Sequence, residues 1–203
     1  MKRILVHDFS SFHLEGILGE QPQDIIVVSA TPPVAHCVGC YGCWMSTPGL
    51  CVKSDRAQRF AYELNDADEL IIVSRLCYGS YSPDIKALID RSIPNLLPFF
   101  EIKDGKMVHE RRSGKALKLR CFFYSVAKQA PDSALISDAY DKRSLIDMAK
   151  SYENDKAMFV GEPSEMELKL MHDIVKANAF NMGGAEPEIC YVGDMHALKE
   201  VRL

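Results

Sequence analysis

Short runs rich in isoleucine and valine recur along this chain, and helical patterns fall between them. The runs are "RILVHD" (3–8), "DIIVVSA" (24–30), "ELIIVS" (69–74) and "ALKLRCFFYS" (116–125), with "AMFVG" (157–161) as a further candidate. Runs that are apolar on both faces belong in a sheet covered on both sides, which is the habit of parallel sheets. Ser82 is a good N-cap, Pro83 suits a first helical position, and Ile85, Leu88, Ile89 and Ile93 share one face, which predicts a helix over 83–97. Ser164 and Glu167 form a capping box, Leu168, Met171, Val175 and Met182 supply an apolar stripe, and Gly183-Gly184 end that helix. Asp104-Gly105 in "EIKDGKMVHE" marks a hairpin placed after the 83–97 helix, and "PEICYVGD" (187–194) reads as a last, edge strand. The prediction is α/β: a doubly wound parallel five-stranded sheet in a single domain over 1–203, with a hairpin excursion.

Composition excludes several classes of partner. The 203 residues are 47% hydrophobic and 26% charged, a balance that builds an ordinary core. The net charge of −4 and a single short basic run, "HERR" (109–112), leave no electrostatic footprint for nucleic acid. The N-terminus lacks a signal sequence and no segment nears the ~20 apolar residues that span a bilayer, so the expectation is a cytoplasmic protein with no membrane partner. In that reducing setting seven cysteines, an odd number, argue for metal, catalytic or buried thiols rather than disulfides. Cys77, Cys121 and Cys190 lie in apolar runs and read as small buried hydrophobes.

The other four stand together in "CVGCYGCWMSTPGLC", as Cys37, Cys40, Cys43 and Cys51. Thiolates two residues apart can converge on one cluster as soft ligands, with Val38, Trp44 and Met45 as an apolar shell. They can also act as redox thiols, or simply pack, as Trp44 and the Pro48-Gly49 turn suggest; the expectation is reduced cysteines packed in a turn, with metal ligation second. His36 beside them reads as a surface residue, and Lys53 and Asp55 as an ordinary helix start. No Ser/His/Asp or Glu/His pair at convincing spacing points to hydrolysis.

In a doubly wound sheet, ligands bind outside the carboxyl ends of the strands. The segment there, "SRLCYGSYSPDIKALIDR" (74–91), resembles the NADPH-dependent FMN reductase family of flavodoxin-like proteins, with Lys86, Ala87, Asp90 and Arg91 matching its helix ending. The cysteine loop followed by "VKSD", and "LPFFEIKDGKMVHERR" before the fourth strand, resemble the same family over roughly residues 24–124. The four cysteines are similar to those of the iron–sulfur flavoprotein branch, which implies a [4Fe-4S] cluster on Cys37, Cys40, Cys43 and Cys51. The resemblance further implies strand order 2-1-3-4-5 and an NAD(P)H-dependent flavoprotein oxidoreductase that passes electrons to a small acceptor. It also implies a homodimer, for which the aromatic "IPNLLPFFEI" would supply apolar surface.

For FMN the resemblance implies a ring held by Tyr78, Gly79, Ser80, Tyr81 and Ser82, and a phosphate near Ser10 and Ser11 after the first strand. Only residues 9–23 separate the first two strands, a shortened crossover in which Gly16 and Gly19 each weaken a helix by ~1 kcal/mol, and Asp8 brings a negative charge beside the phosphate. The expectation is weak FMN binding. The alternative is a binding or interaction subunit of the same fold that has lost the phosphate loop and has no redox activity of its own.

Overall fold

The computed structural model describes residues 1–9, 24–125 and 162–200. Its main sheet comprises β1 (Arg3–His7), β2 (Ile25–Ser29), β3 (Glu69–Arg75), β6 (Lys118–Ser125) and β7 (Glu188–Asp194). They lie in the order β2-β1-β3-β6-β7, and every neighbouring pair is parallel. Counted within the sheet, that order is 2-1-3-4-5, so the fold is flavodoxin-like. β4 (Leu96–Lys103) and β5 (Lys106–Arg111) form a separate antiparallel hairpin. The helices are α1 (Gly42–Met45), α2 (Arg56–Asn65), α3 (Pro83–Asp90) and α4 (Glu165–Asn181).

The period-2 alternation of a strand divides the core. Ile4, Val6, Leu70, Ile72, Leu119, Cys121 and Phe123 point to one face, where they meet Phe60 and Leu64 of α2, Leu88 of α3, and Met171 and Val175 of α4. Leu5, Ile71, Val73, Phe122 and Tyr124 point to the other, against Phe9 and Leu198. β3, at the centre, is buried at every position but its last, which is why "ELIIVS" carries no polar alternation. Cys77 and Cys121 are buried as expected; Cys190 is only half-buried, on β7, which is at the edge of the sheet formed by the described residues.

The helix predicted over 83–97 stops at Asp90, with Arg91 as its C-cap. Pro94 is the cause: it has no N–H for a continuing helix and disfavours the helical conformation at Ile93, so the chain makes a short 3-10 turn at Ile93–Asn95 and enters β4 at Leu96. The hairpin is therefore longer than "EIKDGKMVHE". Its turn is as read, with Asp104 and Gly105 both at positive φ, 50° and 73°. The candidate strand at 157–161 and the crossover at 10–23 lie outside the described residues.

α4 begins with the predicted capping box: Ser164 Oγ accepts the Glu167 N–H at 3.3 Å, and the Glu167 carboxylate accepts the Ser164 N–H at 2.9 Å. Ser164→Ala is expected to cost about 1 kcal/mol, read as a lowered urea midpoint at unchanged m-value.

Candidate functional site

The loop after β2 brings the four cysteines together. Cys37, Cys40, Cys43 and Cys51 line one small, open pocket. Two backbone features close the loop. Tyr41 takes a left-handed conformation at φ 56° and starts the single turn of α1, whose Trp44 and Met45 amides return to the Tyr41 carbonyl. Gly42 packs on Val52 so tightly that an added Cβ would stand 2.6 Å from Val52 Cγ1, and that contact draws Cys51 back beside Cys43. The Gly49 N–H then bonds to the Cys43 carbonyl at 3.0 Å, and Gln58 Nε2 to the Cys51 carbonyl at 2.6 Å.

This arrangement differs from thiols packed away in a turn. Cys37 and Cys40 are exposed, Cys43 and Cys51 are half-buried, and all four are free thiols. Burial, and then the nearby sulfurs of Cys51, Cys37 and Cys40, push the Cys43 thiol up. The pocket wall includes Val38 and Trp44 from the expected apolar shell and Val52 in addition; Met45 is exposed and outside it. Trp44 is fixed by its Nε1–H bond to the Leu96 carbonyl at 2.9 Å and by ring contact with His109, which ties the loop to the β4–β5 hairpin. Among the described residues, no group of three or more His, Cys, Asp or Glu side chains is placed to hold a single metal ion. A lone tetrahedral ion needs its sulfurs about 3.8 Å apart, as Zn–S bonds of 2.3 Å dictate. The four cysteines are soft sulfur donors that share one pocket with apolar walls.

At the floor of this pocket is Arg91, among the largest fully buried side chains of the described residues. Its guanidinium donates to both Asp55 carboxylate oxygens at 2.9 and 2.8 Å, to the Ala35 carbonyl at 2.8 Å and to the Lys53 carbonyl at 3.0 Å. Ala35 precedes the cysteines and Lys53 follows them, so one side chain clamps both flanks of the loop. Asp55 is at the same time the N-cap of α2 and accepts the Ala57 and Gln58 amides. Burial works against the charge on Arg91, but the Asp55 hydrogen bonds and the field of Cys51 outweigh it and raise its pKa. The sequence reading missed this role. Its available signal was a charged residue directly after the apolar helix "IKALID", with an acid in the N-cap position at 55.

The turn after β3 is built differently from the expectation. Cys77 and Ser80 exchange both backbone hydrogen bonds, at 2.9 and 2.8 Å, around Tyr78 and Gly79, which lie at φ 49° and 71°. Gly79 makes its close approach to α4 rather than to open space: an added Cβ would stand 2.9 Å from the Glu167 carbonyl oxygen and from Leu170 Cβ. Tyr81 is a core residue, packed on Phe123 with its hydroxyl beside Cys121 Sγ and Asn178, so it cannot stack on a ring outside. Ser82 caps α3. Of the five predicted ring-holding residues, Tyr78 is exposed and Ser80 half-buried. Ser10 and Ser11 lie outside the described residues. Gly79→Val is expected to destabilise the protein by about 1–3 kcal/mol, through a disfavoured φ and displacement of α4, in a thermal melt without any ligand.

Beside this turn, Asp8 follows β1 and accepts the Arg75 N–H at 2.9 Å and the Tyr124 hydroxyl at 2.8 Å. Burial, against hydrogen bonds from Ser82, Arg75 and Tyr124, raises the Asp8 pKa. Asp84, in the first turn of α3, is raised by burial and then by Asp8, while Arg75, a hydrogen bond from Thr31 and, least, His36 pull it down. His36 also lines the cysteine pocket, so the two regions adjoin.

No family model matches the chain, and no curated protein matches it by sequence. Solved structures resemble it in fold. An azoreductase from Bacillus anthracis is 10% identical with a TM-score of 0.41, covering 98% of this chain and 90% of that one. Smu.1420 from Streptococcus mutans is 11% identical with a TM-score of 0.47, covering 100% and 90%. An FMN-dependent NADH-azoreductase from Bacillus anthracis in complex with FMN is 10% identical with a TM-score of 0.45, covering 98% and 93%. Likenesses this distant carry no argument about the site; the strand order is what establishes the flavodoxin-like fold. No helix among the described residues is long and apolar enough to cross a membrane.

Proposed function

We propose that this chain is an electron-transfer oxidoreductase of flavodoxin-like fold. In this reading it holds a four-iron cluster on Cys37, Cys40, Cys43 and Cys51 and takes electrons from NAD(P)H through FMN to a small acceptor. The observation that carries the reading is the placement of four sulfurs around one pocket, two of them exposed, in a loop held by a buried arginine. A cluster supplies one-electron chemistry that the side chains alone lack. The chain's own part is to bring four sulfurs to one place, to wall them on the hairpin side with Trp44, and to set positive charge beside them with Arg91. Tyr78 and Ser80 are the residues of the β3 turn that would meet a flavin.

The test is anaerobic reconstitution of the full chain with iron and sulfide. About four irons per chain, lost in Cys40→Ser, are expected; no uptake would end the reading. FMN is expected to bind weakly and to leave on dialysis, because Asp8 already occupies donors at the carboxyl ends of β3 and β6. Flavin retained through purification would refute that energetic argument. A homodimer is proposed as well, with Phe99, Phe100, Ile102 and Met107 of the hairpin, all exposed, as its apolar surface. A monomeric mass by light scattering at micromolar concentration would count against it.

One observation favours a second reading, a binding subunit without redox chemistry: the β3 turn is closed on itself and Tyr81 is committed to the core. Iron uptake separates the two.

A further inference from the structure

Arg91 does more than clamp the loop. Its two terminal nitrogens are used up by Asp55, Ala35 and Lys53, while its Nε is buried with no oxygen or nitrogen acceptor, and the sulfur within the side chain's hydrogen-bonding reach is that of Cys51. A buried donor on a charged group without an oxygen or nitrogen acceptor costs several times what an exposed one would, so its persistence in a site needs a reason. The side chain lines the cysteine pocket, and Cys51 is the cysteine whose field it feels. A thiol is a poor acceptor; a metal-bound thiolate is a good one, and charge-assisted bonds to it are about twice as strong as neutral ones.

We infer that Arg91 is a positioning and tuning residue of the four-cysteine site. Its Nε–H donates to the sulfur of Cys51 once that sulfur is a metal-bound thiolate, and its charge, partly balanced by Asp55, stabilises the reduced cluster. This rests on the cluster reading above. The reduction adds one electron and one unit of negative charge to the site, so a buried cation and an N–H···S bond beside it favour the reduced form. Asp55 works in the opposite sense, and the pair sets the net charge that the sulfurs meet. Gln58, which holds the Cys51 carbonyl, fixes the backbone that presents the sulfur.

The experiment is a spectroelectrochemical titration of the reconstituted full-length protein, with dithionite as the electron source. Arg91→Gln is expected to lower the reduction midpoint by about 59 mV, a tenfold change in the oxidised-to-reduced ratio for a one-electron couple. Arg91→Lys, which keeps the charge, should recover part of that shift. Asp55→Asn keeps the N-cap and an acceptor for Arg91 but removes the negative charge, and should raise the midpoint. A purely structural clamp would lower iron content without producing shifts of opposite sign. If the wild type takes up no iron, the cluster reading falls and this inference with it. If the wild type loads and the midpoint is unmoved in Arg91→Gln, the role of Arg91 alone is overturned. Should Arg91→Gln fail to load, an unmoved midpoint in both Arg91→Lys and Asp55→Asn overturns it equally.

Discussion

Asp55→Ala is expected to lower the unfolding free energy by about 3–5 kcal/mol, the cost of leaving a buried guanidinium without its counter-charge. The Asp55–Arg91 pair is asymmetric: the arginine side chain is 1% exposed and the carboxylate 30%. Removing the acid therefore strands the member that cannot be rehydrated in place. About 1 kcal/mol of the loss comes from the cap, since Asp55 accepts the Ala57 and Gln58 amides at the start of α2. Urea unfolding at neutral pH measures the total. Asp55→Asn retains the cap and separates the two contributions. A loss under 1 kcal/mol in Asp55→Ala would mean that the Ala35 and Lys53 carbonyls suffice to hold Arg91.

The same pair has a pH signature. Burial opposes ionisation of Asp55, but Arg91 and the α2 amides overcome it and hold the carboxyl below its ordinary value. A carboxylate whose folded pKa is depressed contributes stability that is fully present above its unfolded value of about 3.9 and is lost as pH falls through the lowered one. Asp55 should thus be among the groups that release in strong acid, taking the flanks of the cysteine loop with it.

The sheet was legible because its signal is local: two-faced apolar runs such as "ELIIVS" and "ALKLRCFFYS" permit little except buried parallel strands. The caps at Ser82 and Ser164 were legible for the same reason, each being a contact within three residues. The end of α3 is not legible from apolar spacing, which continues through Ile93, whereas the chain leaves the helix at Asp90 ahead of Pro94. The site was only half legible. That four cysteines could converge follows from their spacing, but whether they are packed or exposed depends on Gly42 against Val52 and on Trp44 against Leu96, contacts between segments up to 52 residues apart. Likewise "CYGSYS" reads as a ligand-holding turn until α4 is placed against Gly79, more than 80 residues further along the chain. Long-range neighbours, not residue types, decide which of these side chains face out.

Between pH 6.5 and 4 the protein is expected to lose about 3 kcal/mol of stability through His7 alone. The residue ends β1, is 2% exposed, stacks on Phe9 at 5.4 Å, and accepts the Phe9 N–H at Nδ1 at 3.2 Å. Burial pulls its pKa down to about 4 from an ordinary 6.5. A protonated ring would turn Nδ1 into a donor facing a donor, in a buried place where its charge is poorly solvated. Because the folded state resists the proton and the unfolded chain accepts it, the stabilisation is complete above 6.5. It falls by about 1.4 kcal/mol per pH unit until the folded value is reached. Asp8, next in sequence, acts with the other sign: its raised pKa contributes stability below its unfolded value that is lost as pH rises through the folded one. The two partly cancel in the wild type, so the slope must be read by difference. His7→Asn keeps an acceptor for the Phe9 amide and does not titrate; the difference between its urea midpoint and that of the wild type, taken at pH 7, 5.5 and 4.5, removes the Asp8 contribution common to both and should shift steadily against the wild type as the pH falls. If the two proteins share one slope, the acid sensitivity lies elsewhere and the buried neutral imidazole is not its cause.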